Sequence, residues 1–228
     1  MPDRNAAPHS QTLDRGVRAL EVLAEAGRPL SIADLSARLQ VHRSIAYRIV
    51  RTLEDHRLIS RDGDGRLVPG VGLAALARSV KSTLQTAALP ELSDLANDLG
   101  MTSFLVVEDE GEAVTVETVE PRHSTVHVAY RPGVRHAVDR GAPGLALLAG
   151  LAEAPGERPE VAEARARGWA TTQGEVLTGM RAVASPVLDG RGRVAGAVSV
   201  VFVDSQYTLD EIGARVGAAA KAIARELP

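Results

Sequence analysis

The chain has no cysteine and few aromatic residues: one Trp, three Tyr and two Phe, or 3% of the sequence. The first absence excludes disulfides, thiolate zinc sites and cysteine nucleophiles, and it is compatible with a reducing compartment. The second means that any core is built from Leu, Val, Ile and Ala, within a hydrophobic content of 45%. No apolar run reaches the ~18–20 residues needed to span a bilayer, and the opening MPDRNAAPHS has no secretion-signal core. Catalytic signatures are missing as well. Gly141–Ala142–Pro143–Gly144 lacks the Gly-Lys-Ser/Thr of a phosphate loop, and Ser185 has no elbow glycines. Glu108–Asp109–Glu110 falls at an expected turn and reads as a solvated tip. His123 and His127, with His136 and Asp139, suggest metal ligands, but strand residues four apart lie roughly 13 Å apart, too far for one ion. No cofactor, metal or catalytic residue is expected, and the chain is not read as an enzyme.

Charge is unevenly spread. The 228 residues suggest one large domain or two small ones. Residues 1–80 hold 12 Arg/Lys against 9 Asp/Glu, and residues 81–228 hold 14 against 20, so a net −3 divides into +3 and −6. A basic head on an acidic body fits a nucleic-acid-binding module joined to something else.

The most informative stretch is Leu30–Leu53. Ser31 and Asp34 have capping-box spacing, and Ile32, Leu35 and Leu39 form one apolar stripe. Gln40–Val41–His42 breaks the pattern. Ile45, Ala46, Ile49, Val50 and Leu53 then form a second stripe, opposite Arg43, Ser44, Tyr47, Arg48 and Arg51. No acidic residue occurs from Ser36 through Leu53. Two short helices around a tight turn, the second basic on its outer face, suit a DNA major groove. A solvated basic helix is the plainer reading of that face alone. Before this stretch, Ser10 or Thr12 is placed to cap a helix with a seam of Leu13, Val17, Leu20 and Leu23. After it, strands around 58–61 and 66–68 flank an Asp62–Gly65 turn, a small wing with Arg61 and Arg66 beside its tip.

A connecting helix is expected over 71–87, with Pro90 separating it from a helix over 90–99. Strands follow at Phe104–Val107, Ala113–Val119 and around Val126–Val128, then a loop at 132–144 and a helix at 145–152. A helix over 161–167, strands at 169–172, 181–188 and 194–203, and a closing helix over 209–227 complete the chain. The second part is thus α+β, with the loop at 132–144, the strand start at 180–184 and Ser199 as candidate cavity walls.

From about Gln11 to Arg225 the order of these motifs resembles the IclR family of bacterial transcriptional regulators. TLDRGVRALEVLAEAGRPLSIADLSARLQVHRSIAYRIVRTL looks like the family's winged helix-turn-helix, with His42–Arg43–Ser44–Ile45 where Pro-Lys-Ser-Thr usually opens the recognition helix. The resemblance implies DNA contacts from His42, Arg43, Ser44, Tyr47, Arg48 and Arg51, with Arg61 and Arg66 of the wing. GMRAVASPVLDGRGRVAGAVSV is similar to a segment of the family's GAF-related effector domain, with Ala182 at a frequent Cys position. Asp139–Ala146 stands where the family usually has His-Ala-Thr-Ala-x-Gly-Lys-Ala, keeping Gly144 and Ala146 but not the His or the Lys. By resemblance the effector pocket involves Gly141, Ala142, Pro143, Thr172, Met180, Ala182 and Ser199, a mostly apolar set that favours a small, weakly polar ligand.

The resulting expectation is an all-α winged helix-turn-helix over 10–69, a linker helix over 70–88 and a GAF-like α+β domain with an antiparallel sheet over 89–228. Its partners would be double-stranded operator DNA, a small organic effector and a second copy of itself, with pairing into tetramers left open. It would act in the cytoplasm, with no membrane partner, as a repressor. The rival readings are a small-molecule-binding protein or enzyme with a basic accessory head, and a ligand-free architectural DNA-binding protein.

Overall fold

The computed structural model describes residues 10–77, 83–123 and 128–228. Its helix starts follow the capping residues. Ser10 opens α1 (Gln11–Ala26) by accepting the Leu13 N–H, and Gly27, left-handed at φ 59°, closes it. Ser31 and Asp34 form a reciprocal capping box on α2 (Ile32–Arg38). α3 runs over Arg43–Asp55 and buries Ala46, Ile49, Val50 and Leu53. One expectation fails in α1. Leu13 and Val17 are 68% and 47% exposed, and the buried positions are Ala19 and Leu23. Two apolar stripes share this helix, and the short α2 and α3 cover only one of them.

β1 (Ile59–Arg61) and β2 (Leu67–Pro69) pair antiparallel as the wing. Leu30, before α2, exchanges backbone hydrogen bonds of 3.1 and 2.7 Å with Leu67, which ties the wing to the start of the helix pair. α4 (Val71–Ala77) follows and buries none of its residues.

The chain divides into two units between residues 80 and 81. The second opens on α5 (Thr83–Leu99), which runs through Pro90 rather than breaking there. An interior proline costs a helix about 3 kcal/mol. Leu84, Ala88, Leu92, Leu95 and Leu99 form one buried stripe across it, and that packing outweighs the lost backbone bond. Residues 78–82, within the expected connecting helix, lie outside the described residues.

β3 (Thr102–Asp109) and β4 (Glu112–Val119) form the first hairpin of the main sheet. A third strand is expected near Val126–Val128. Val126 lies outside the described residues, and Val128–Tyr130 form no strand. The edge of β4 is instead taken by β5 (Arg135–Ala137), inside the segment read as a loop. Arg-His-Ala carries no apolar alternation; the free backbone edge of Glu112–Val114 makes it a strand. α6 (Gly141–Ala149) likewise starts four residues before the expected helix. Pro143 fits its first turn, where a missing N–H leaves no bond unmade.

α7 (Pro159–Arg167), β6 (Ala170–Gln173), β7 (Arg181–Leu188), β8 (Val194–Phe202) and α8 (Leu209–Arg225) complete the unit. α8 starts on the expected Thr208–Glu211 capping box. The antiparallel sheet has the order β5-β4-β3-β8-β7-β6. Its two faces carry separate cores. α5 and α8 cover one through Leu92, Ile212 and Ile223 against Leu105, Val198 and Val200. α6 and α7 cover the other through Leu145, Ala146 and Val161 against Phe104, Ala197 and Val201. β8 is buried on both faces, which is why it reads as a continuous apolar run. Among the described residues no helix is long and apolar enough to cross a membrane.

Candidate nucleic-acid interface and ligand cavity

In the first unit, α3 turns its apolar stripe into the core. His42, Arg43, Ser44, Tyr47, Arg48 and Arg51 are all exposed. The periodicity that buries Ala46 and Ile49 therefore leaves cation, hydroxyl and phenol groups on one outer surface. His42 is the N-cap of α3. Its Nδ1 accepts the Ser44 N–H at 3.4 Å and lies 2.9 Å from the Ser44 hydroxyl. The Arg43 guanidinium sits over the Tyr47 ring at 5.9 Å from its centre, which places both on the first two turns.

The wing arginines differ from each other. Arg61 pairs with Glu54 of α3 at 2.7 Å and donates to the Gly65 carbonyl at 3.0 Å, so it braces the wing tip against the helix. Arg66 is exposed, and its backbone N–H is held by Asp62 at 2.8 Å. Hydrogen bonds from Ser31 hold the Asp34 carboxyl below its usual range, so the cap that starts α2 is charged at neutral pH.

In the second unit, a cavity lies where α6, the β6–β7 connection and the sheet meet. Gly141, Ala142, Pro143, Thr172, Met180 and Ala182, six of the seven residues singled out from sequence, line it. Ser199 does not. It is fully buried opposite Phe104, and its hydroxyl donates to the Val183 carbonyl at 3.0 Å. Val201, two residues along the same face of β8, takes its place in the wall.

The cavity wall also takes in His136, from the 132–144 loop expected to line it, and residues that the sequence did not point out: Phe104, Tyr130, Glu175, Val176 and Leu177. The Phe104 and Tyr130 rings lie 4.5 Å apart, and burial pushes the Tyr130 phenol above its ordinary value. The scarcity of aromatics was the signal available for this pair, since a chain with few of them places each where its area counts. The His136 Nε2 is buried with no hydrogen-bond partner among the described residues.

Glu175 organises the mouth. Its carboxylate accepts two bonds from Arg158, at 2.9 and 3.1 Å, and one from the Gly141 N–H at 2.8 Å. Arg140 donates to its backbone carbonyl. Thr172 Oγ1 accepts the Ala142 N–H at 2.9 Å. Gly141, at φ 74°, turns the chain into α6 directly under Val176, where a Cβ would come within 2.7 Å of a methyl group. The free volume is only about 30 Å³, room for one or two waters. Residues of the β6–β7 connection, Gly174 to Leu177, form one side of this narrow site.

Arg158 first, and then the Gly141 N–H, hold the Glu175 carboxyl below its ordinary range. A depressed carboxylate stabilises the fold fully above its unfolded value of ~4.3 and loses that contribution as pH falls through its folded value. Glu175→Gln should therefore lower the melting temperature at pH 7, and its gap to wild type should close below pH ~4, as read by calorimetry across pH. Among the described residues there is no group of three or more His, Asp or Glu that could hold a metal, and His127 lies outside them.

Two family models match the chain: the IclR helix-turn-helix domain over residues 12–63 and the bacterial transcriptional regulator IclR C-terminal domain over residues 152–227. Together they take in more than half of it.

The chain belongs to the IclR family.

The glycerol operon regulatory protein of Streptomyces griseus is 29% identical over 218 residues, covering 85% of each chain. The IclR transcriptional regulator of Alicyclobacillus acidocaldarius shares 26% identity and a TM-score of 0.75 over 96% of this chain and 98% of its own. An IclR homologue of Microbacterium hydrocarbonoxydans, solved with 4-hydroxybenzoate, shares the fold at a TM-score of 0.80 and 22% identity, over 95% and 99%. These relatives are regulators, not enzymes, and the protein is a DNA-binding transcriptional regulator with a C-terminal ligand-binding domain of the family's type. α3 falls inside the matched helix-turn-helix domain, and Thr172, Glu175, Met180 and Ala182 of the cavity wall fall inside the matched C-terminal domain.

Proposed function

We propose that this IclR-family protein is a homodimeric, cytoplasmic repressor whose grip on operator DNA is set by a small organic effector in the cavity under α6. The observation that carries the DNA half is the outer face of α3: six exposed positions from His42 to Arg51, none of them acidic. Arg43 and Arg48 reach base edges and phosphates there, with Ser44 and Tyr47 between them. Arg66 takes the wing's phosphate contact, while Arg61 stays on Glu54 and sets the wing's angle. What supports the effector half is a small cavity with mostly apolar walls and a glycine at each end of the segment beside it, Gly174 and Gly179, both at positive φ.

Dimerisation is supported by α1. Leu13 and Val17 lie one turn apart and open to solvent, and Val71 of α4 is itself 79% exposed. A second copy would cover this stripe and set two recognition helices ~34 Å apart, one turn of DNA, or a multiple of it. Leu13→Glu with Val17→Glu should shift the protein to the monomer in analytical ultracentrifugation and weaken operator binding with it. An unchanged dimer would move the interface elsewhere.

The reading as a whole is tested on DNA from the region upstream of the protein's own gene. A retarded complex is expected in a gel shift, along with its release by metabolites that raise the protein's melting temperature. An effector changes occupancy only if it binds the operator-competent and incompetent states unequally. Turnover of such a metabolite, without effect on DNA, would favour the enzyme reading instead.

A further inference from the structure

We propose that Glu175 is a built-in carboxylate filling the anion-binding corner of the cavity, so that the site takes an uncharged ligand and turns carboxylates away. The inference rests on reading the cavity as the effector site, and it concerns which ligands fit there.

The start of α6 would otherwise hold an anion well, since unpaired backbone N–H groups and the helix dipole both favour negative charge. In this chain every early position is closed. The Gly141 N–H is taken by Glu175 at 2.8 Å, and the Ala142 N–H by Thr172 at 2.9 Å. Pro143 has no N–H. Of the nearby cations, Arg158 gives two hydrogen bonds to the same Glu175 carboxylate and another to the Asp139 carbonyl at 2.9 Å, Arg140 donates to the Glu175 carbonyl, and Arg181, on the β7 wall away from the start of α6, donates to Gln173 at 3.2 Å. A ligand carboxylate arriving beside them would find no donor at this end of α6 and would face a like charge in a confined space.

What remains for a ligand is different in kind. Phe104, Val176, Leu177 and Val201 offer apolar walls. His136 Nε2, in the cavity wall, is a buried polar atom without a partner among the described residues. A neutral imidazole nitrogen gives or accepts one hydrogen bond, according to its tautomer. The chemistry that fits is a compact apolar body with one uncharged hydrogen-bonding group, such as an alcohol, amide or carbonyl.

The test is rescue of a deleted carboxylate. Glu175→Ala leaves the Gly141 N–H and Arg158 facing an empty corner. Melting temperatures of this variant and of the wild type are measured in propionate, in propionamide and in sodium chloride at matched ionic strength. Propionate should stabilise the variant beyond chloride and propionamide, at half-saturation about tenfold or more below any response of the wild type. Propionate acting no better than chloride on the variant, or equally on both proteins, would overturn the assignment. Should Glu175→Ala not fold unaided, the yield of soluble protein on refolding in propionate against chloride gives the same comparison with the same two outcomes. Operator release is a separate measurement. A cavity that accepts propionate in the variant while no small molecule alters DNA binding would sink the effector reading and leave the Glu175 assignment standing.

Discussion

Replacing both Arg43 and Arg48 with Ala should lower operator affinity by about a thousandfold. Each arginine–base pairing is worth ~1–3 kcal/mol, and the proposed dimer would lose four of them. Even at the low end this sums to ~4 kcal/mol, or three decades of affinity. The loss is in recognition and not in folding, because both side chains lie outside the core that Ala46, Ile49 and Val50 form. The melting temperature of the double variant should stay close to wild type. Fluorescence anisotropy with a labelled operator, titrated at several salt concentrations, reads both parts of the effect. Where the arginines touch phosphate, the slope of log affinity against log salt flattens by ~0.9 for each contact removed. A double variant with unchanged affinity and unchanged slope would place the DNA on another surface.

The second large effect is on stability. Phe104→Ala should cost about 3–5 kcal/mol, the range for emptying a buried aromatic site. Phe104 is 2% exposed, sits on the central strand β3 and packs on Tyr130. Its neighbours are held by sheet pairing on both sides, since β3 bonds to β4 and to β8, so the gap cannot collapse. A loss of that size lowers the melting temperature by ~10 °C in a unit of this length. The same substitution enlarges the cavity under α6 from one wall. The variant should therefore regain more of its melting temperature than wild type when small apolar alcohols are added. Calorimetry of both proteins with and without benzyl alcohol measures the two effects together.

How far these features are legible in sequence depends on the range of the interaction behind each. The capping boxes at Ser31 and Thr208 are local, within three residues, and both form as their spacing indicates. The outer face of α3 is equally local. Once Ala46, Ile49, Val50 and Leu53 go inward, helix geometry sends Arg43, Tyr47 and Arg48 outward. β8 is legible because burial on both faces leaves it apolar throughout. β5 is not, since His136 and its neighbours become a strand only by meeting the edge of β4. Pro90 misleads because the packing that overrides it comes from elements far along the chain, α8 among them. The cavity is legible in outline, but the resemblance pointed to Ser199 where Val201 lies, a shift of two along one face of a strand. The Glu175 corner could not be read at all. Its partners, Gly141 and Arg158, lie 34 and 17 residues away, and no periodicity marks them.

The account turns on α3 lying in the major groove. The absence of cysteine makes a direct measurement straightforward, because one introduced thiol is a unique attachment point. Thr52→Cys, one turn beyond Arg48 on the exposed side of α3, would carry an iron chelate that cleaves nearby DNA. The expected result is strand scission at two major-groove segments of the operator, separated by one helical turn of ~34 Å or a multiple of it. Tight binding of the labelled protein with no scission, or scission confined to the minor groove, would contradict it.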